Sequence, residues 1–169
     1  MKNVFPVILL LFVCLFGSCK KIEFADELAR SKDVYIAFKA STGNSYAYVV
    51  RTDSWIGVTT LTTITVENGK VVKRAYVLKE RVDTINELVV KDQWTEDASS
   101  LGSHEAGADI QTLDDVYDRA RKDWLKKRDD ANTYFEAKNN GMISTAGYVN
   151  KNCADDCFVG IEISSIEKL

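Results

Sequence analysis

Histidine and proline are almost missing from this chain: its 169 residues include one of each, with only four cysteines. One His and four Cys are too few soft ligands for a conventional structural zinc site. The single proline is Pro6, so the rest of the chain has no polyproline spacer and no slow prolyl step in folding. Positive charge is not in excess: 22 Lys and Arg face 25 Asp and Glu, a net charge of −3. That balance lacks the basic footprint of a nucleic-acid binder. No G-x-x-x-x-G-K-[ST], H-E-x-x-H or G-x-G-x-x-G motif occurs. Beyond the N-terminal segment there is no long apolar run, no internal repeat and no low-complexity tract. What is present is a globular composition, 46% hydrophobic, 28% charged and 10% aromatic. The length suits one domain.

The N-terminus carries the most specific signal. Lys2 precedes an apolar stretch, residues 4–16, broken only by Pro6. As a helix it would reach about 20 Å, short of a bilayer core of about 30 Å, which fits the apolar region of a signal peptide. Leu15-Phe16-Gly17-Ser18-Cys19 follows. Small residues directly before a Cys resemble the lipobox of bacterial lipoproteins, and Phe16 is a looser fit to it. The resemblance implies cleavage before Cys19, acylation of its thiol with palmitate-type chains, and acylation of the freed amine. Two or three chains, at about 0.8 kcal/mol per buried methylene, hold a protein stably at a membrane. No Asp and no acidic run comes directly after Cys19. By lipoprotein sorting habits this implies the periplasmic face of the outer membrane. The alternative is an ordinary secretory signal cut nearby. The expected organisation is a signal peptide over 1–18, a lipid-anchored tether over 19–32, and one domain over 33–169.

The tether has Ile22, Phe24, Ala25, Leu28 and Ala29, which suit either a short helix or a loose leash. Residues 34–38 (VYIAF) read as a strand. Residues 45–52 alternate through Tyr46, Tyr48 and Val50, and residues 55–66 are dense in β-branched side chains. Asn68-Gly69 between such runs predicts a type I′ hairpin, with Glu67 facing Lys70, Val66 facing Val71 and Thr63 facing Arg74. Val82, Ile85, Leu88 and Val89 fit a helix capped by Asp83, although residues 88–90 also suit a strand. Residues 95–110 read as a loop.

The clearest helix is 112–128. Thr112 can cap it, Asp114 and Asp115 lie in its first turn, and Lys126, Lys127 and Arg128 fall in its last. Leu113, Val116, Tyr117, Ala120 and Trp124 form its apolar stripe. Strands at 133–137, 143–149 and 158–163 complete the pattern. Strands, then a helix, then strands predict an α+β fold: an antiparallel sheet with one main amphipathic helix on a face.

Few residues suggest chemistry. Cys14 leaves with the signal and Cys19 takes the lipid, so Cys153 and Cys157 remain to form a disulfide outside the cytoplasm. Closing that five-residue loop contributes about 2 kcal/mol. Asp155 and Asp156, with Asn150 and Asn152 nearby, are candidate oxygen ligands for Ca²⁺; the plainer alternative is a solvated turn. His104 and Glu105 lie in a Gly-containing loop. His104 is either a general acid–base or a hydrogen-bonded staple of that loop. No nucleophile-elbow pattern marks a serine.

A wider resemblance rests on several motifs. These are Tyr46-x-Tyr48, Thr63-Ile64-Thr65-Val66 with Asn68-Gly69-Lys70-Val71, Gly102-Ser103-His104-Glu105-x-Gly107-Ala108, Thr112-Leu113-Asp114-x-x-Tyr117, and Gly147-Tyr148-Val149 before Asn152-Cys153-Ala154-Asp155-Asp156-Cys157. Over residues 44–164 the chain resembles a family of secreted bacterial proteins of unknown function, many of them lipoproteins. Residues 80–100 are longer than in that pattern. The resemblance implies one domain and no particular activity. The expected function is a non-enzymatic binding or structural module of the cell envelope that meets a protein, glycan or small ligand. Two alternatives stand beside it: a cation-dependent or hydrolytic domain using His104, Glu105, Asp155 and Asp156, and an inhibitor or immunity-type protein.

Overall fold

A computed structural model describes residues 21–82, 87–155 and 157–169. Cys19 and the whole expected signal peptide, Asp83 and Ile85, and Asp156 therefore lie outside the described residues. The elements are α1 (Ala25–Ser41), β1 (Tyr46–Asp53), β2 (Val58–Glu67), β3 (Lys70–Val82), β4 (Glu87–Asp97), α2 (Leu113–Arg119) running into a π-helical turn (Ala120–Trp124), β5 (Ala131–Glu136), β6 (Thr145–Asn150) and β7 (Phe158–Lys168). The seven strands form one sheet in the order β4-β3-β2-β1-β7-β6-β5, with antiparallel neighbours throughout. This is an α+β architecture.

Alternation on β1 and β2 turns Tyr46, Tyr48, Val50, Ile64 and Val66 into the core. Both helices cover that face. Tyr35 of α1 stacks on Tyr117 of α2 with ring centroids 5.1 Å apart, and meets Tyr46 edge-on at 6.3 Å. The hydroxyls of Tyr35, Tyr46, Tyr48 and Tyr117 are all hydrogen-bonded. Leu113 N donates to the Tyr46 hydroxyl at 2.9 Å, and the Tyr48 hydroxyl donates to the Gln111 carbonyl at 2.6 Å. The Tyr117 hydroxyl accepts from Ile143 N at 3.0 Å and lies 2.8 Å from Ser31 Oγ. Burial pushes the titration of all four tyrosines upward.

Several expectations need correction. Residues 34–38 are the middle of helix α1, not a strand. Leu28, Ser31 and Tyr35 are its buried residues, while Val34 and Ile36, which a strand would direct inward, are exposed. The helical stripe was hidden because one of its members is a serine, and tertiary packing overrides the β propensity of Val, Tyr and Ile. Residues 25–32, expected in the tether, are the first half of the same helix. Among the described residues the sheet thus carries two helices instead of one, and α1 is the longer.

The helix begun by Thr112 has the expected cap, completed as a capping box by Asp115, but it ends at Trp124. Lys126 instead bridges Ile22. Arg128 folds back to donate to the carbonyls of Asp123, Trp124 and Lys126, satisfying the helix end. Residues 87–97 are strand, so the strand alternative holds for residues 88–90.

The Asn68-Gly69 turn forms with both residues at positive φ. Glu67 faces Lys70 and Val66 faces Val71. Thr63 faces Ala75, because a bulge between Thr65 and Val66 moves the register by one and sets Arg74 opposite Ile64.

Gly147 and Gly160 face each other across β6 and β7. A Cβ on Gly160 would come within 2.2 Å of the Ala146 carbonyl oxygen, a backbone atom that cannot step aside. Gly160→Ala is expected to cost about 2 kcal/mol in urea unfolding. An unchanged midpoint contradicts this pairing.

Candidate functional site: a polar cavity beneath the 98–112 segment

Opposite charges meet where two strands turn inward. Arg74 of β3 and Glu96 of β4 are cross-strand partners on the helix-covered face, and both are buried. The pair is bidentate, with Arg74 Nε 2.8 Å from Glu96 Oε2 and Nη2 2.9 Å from Oε1. Glu96 also accepts from Gly102 N at 2.9 Å, His104 N at 2.7 Å and Ser103 Oγ at 3.2 Å. Arg74 spends two further donors on the carbonyls of His104 (2.6 Å) and Ala108 (3.2 Å). The Arg74 guanidinium, followed by these backbone amides, holds the Glu96 carboxyl well below the usual carboxylate range. One buried pair therefore fixes the connection between β4 and α2.

His104 is part of this anchor. Its ring lies flat on Trp94 at 4.2 Å, and Trp94 stacks on Tyr76 at 5.1 Å. His104 Nδ1 is 3.0 Å from Glu96 Oε1. An ionised carboxylate only accepts, so Nδ1 carries the proton. Ser103 Oγ is also nearest Nδ1, at 3.2 Å. A hydrolytic triad needs the hydroxyl on one ring nitrogen and the acid on the other. Here both meet the same nitrogen, and the staple reading of His104 fits the geometry.

The other singled-out residues do not join His104. Glu105 is exposed. Asp155 is exposed in the loop before β7, three strand spacings or about 14 Å from β3. Cys153 and Cys157 flank it with Cα atoms 6.2 Å apart, within disulfide reach. Among the described residues no group of three or more His, Cys, Asp or Glu could hold a metal ion. Beside the Cys loop, Arg51 pairs with Asp53 and lowers its titration, while burial and the nearby charges of Asp53 and Glu136 raise that of Glu162.

The pinned segment roofs a cavity of about 290 Å³. Its floor includes Thr52, Thr60, Thr62 and Tyr76 of the sheet, and its wall includes Gly107, Asp109, Gln111 and Arg119. Thr62 Oγ1 accepts from Ala108 N at 3.0 Å, tying roof to floor. A Cβ on Gly107 would sit 3.3 Å from Thr62, Trp94 and Tyr76 alike, and its φ of +91° also favours glycine. Arg119 lies 4.7 Å over the Trp124 ring, with Nη1 2.5 Å from Asp109 Oδ2 and 3.4 Å from Gln111 Oε1. Tyr76 and Gln111 are 5% and 8% exposed. Among the described residues the Tyr76 hydroxyl and the Gln111 amide nitrogen make no hydrogen bond to protein, and both atoms reach solvent; the fully buried side-chain atoms without a partner, Asn44 Oδ1 and Thr133 Oγ1, do not line this cavity. The cavity therefore offers neutral donors and acceptors inside and one balanced ion pair at its wall.

The sequence reading missed these residues. A usable signal was present: in VVKRAYVL the alternation that buries Tyr76 also buries Arg74, so an acid on the neighbouring strand was to be expected.

No protein-family model matches the chain, and no curated protein and no solved structure matches it.

Proposed function

We propose that the protein is a non-enzymatic, lipid-anchored module of the cell envelope that binds a small uncharged polar ligand, of the class of a single saccharide unit, in the cavity beneath residues 107–111. The observation that carries this reading is two polar side chains lining one cavity, Tyr76 and Gln111, whose bodies are held more than nine-tenths buried while a hydroxyl and an amide nitrogen stay open to solvent without a protein partner. Both groups are open to solvent, so water satisfies them until a ligand displaces it. Threonine hydroxyls and an amide match a polyhydroxylated partner. The Asp109–Arg119 pair cancels its own charge and gives no preference for an ion. The volume suits one small ring and lies at the lower end of ligand pockets.

The anchor part of the reading rests on the lipobox-like Leu15-Phe16-Gly17-Ser18-Cys19, and the absence of an Asp or an acidic run directly after Cys19 supports the periplasmic face of the outer membrane.

A thermal-shift panel of monosaccharides tests the binding. A sugar at 100 times its Kd adds about 2.7 kcal/mol. The shift is expected to vanish in Gln111→Leu, whose own melting temperature stays close to that of the parent. A shift that survives Gln111→Leu, or no shift from any sugar, contradicts the reading.

A further inference from the structure

The start of the described chain and its most exposed large hydrophobic side chains lie at one end of the sheet. Ala131 pairs with Asn150, so β5 begins and β6 ends there, and β7 begins there after a short loop. Antiparallel pairing with β7 brings the end of β1 to the same place, and with it the β1–β2 tip. Trp55 and Ile56 occupy that tip and are 72% and 64% exposed. The tip is not slack. Gly57 N donates to the Ser54 carbonyl at 3.0 Å, and Arg81 N donates to the Gly57 carbonyl at 2.9 Å. Leu88, Val89 and Val90 are also exposed on β4, which starts at this end.

Residues 21–23 are bound to the body at that end. Glu23 N donates to the Leu125 carbonyl at 2.8 Å, and Lys127 N donates to the Lys21 carbonyl at 2.8 Å. Lys21 and Lys127 border one groove with Ala131 and Lys151.

We propose that this end of the sheet rests on the bilayer, with the Trp55-Ile56 tip entering the headgroup region as a second membrane contact beside the lipid. The proposal rests on the anchor reading of Cys19. From Cys19 to the tied Lys21 is two residues, about 7 Å at full extension, so an acylated Cys19 holds this end against the membrane. The tip lies two to three strand spacings from β6, about 10–15 Å along the same edge. Tryptophan favours the membrane–water interface, and a lipid chain plus a second signal gives firmer attachment than lipid alone. Charge contributes little. Exposed Lys21, Lys127 and Lys151 are balanced by Asp26, Asp129 and Asp130, so the contact is apolar and salt-insensitive.

The test uses the full chain purified from membranes and placed in phosphatidylethanolamine–phosphatidylglycerol vesicles with brominated acyl chains. Intact mass reads the acylation of Cys19, and tryptophan fluorescence reads the docking. Trp124 is buried and Trp94 is stacked between Tyr76 and His104, so Trp55 is the tryptophan the lipid can reach. The expected result is an acylated chain whose emission is quenched, with the quenching lost in Trp55→Phe. An acylated chain that is not quenched overturns the docking alone. If Trp55 is then also shielded from iodide, a protein partner or a second copy covers the tip, which likewise overturns it. A chain without acyl groups overturns the anchor reading and the docking with it.

Discussion

Glu96→Ala is expected to lower the melting temperature by about 10 °C or more and to free residues 98–111 from the sheet. The variant leaves Arg74 buried with no counter-charge and strips acceptors from Gly102 N, His104 N, Ser103 Oγ and His104 Nδ1. A buried ion that loses its partner is strongly destabilising, whereas replacing both ions with apolar groups is far milder. The double variant Arg74→Leu/Glu96→Leu is therefore expected to melt above Glu96→Ala. Hydrogen exchange should show the amides of Gly102 and His104 losing protection in every variant that lacks Glu96. The sign of the pH dependence follows from the same contacts. The folded state holds the Glu96 carboxyl below its unfolded value, so this contribution is complete above the ordinary glutamate range and fades as pH falls through the folded value. A Glu96→Ala variant that keeps the parent's melting point and exchange pattern contradicts the anchor.

Trp124→Ala is expected to cost about 3–5 kcal/mol in chemical denaturation. Trp124 is among the largest fully enclosed side chains, and it sits in the π-helical turn with Arg119 lying on its ring. Its removal leaves a void that the sheet and α2 cannot both close, and it takes away the surface that positions Arg119 at the cavity wall. Trp55→Ala is the natural control, because the same chemical change at an exposed tip should stay within about 0.5 kcal/mol. Equal costs at the two sites contradict the assigned core.

How far the fold was legible depended on whether a segment's local signal and its tertiary role agreed. The Asn68-Gly69 hairpin was legible because positive φ at both residues is a local demand that few sequences meet. The cap at Thr112 and the stripe from Leu113 to Trp124 were legible for a similar reason. Helix α1 was not, because its buried stripe includes Ser31, whose partner Tyr117 is 86 residues away. The bulge at Val66 was also beyond local signals, since it depends on the partner strand.

Legibility of the candidate site was lower still. His104 drew notice as the only histidine, yet its role is set by Glu96, eight positions earlier and on another element. Gln111 and Tyr76 look ordinary in sequence. Only the folded roof makes them neighbours of one cavity.

The measurement that tests the central claim most directly is amide chemical-shift mapping of the chain during titration with N-acetylglucosamine and glucose. The cavity reading predicts saturable shifts centred on Thr60, Ala108, Asp109 and Gln111, absent in Gln111→Leu. Shifts confined to the Cys153–Cys157 loop, or none at all, contradict it.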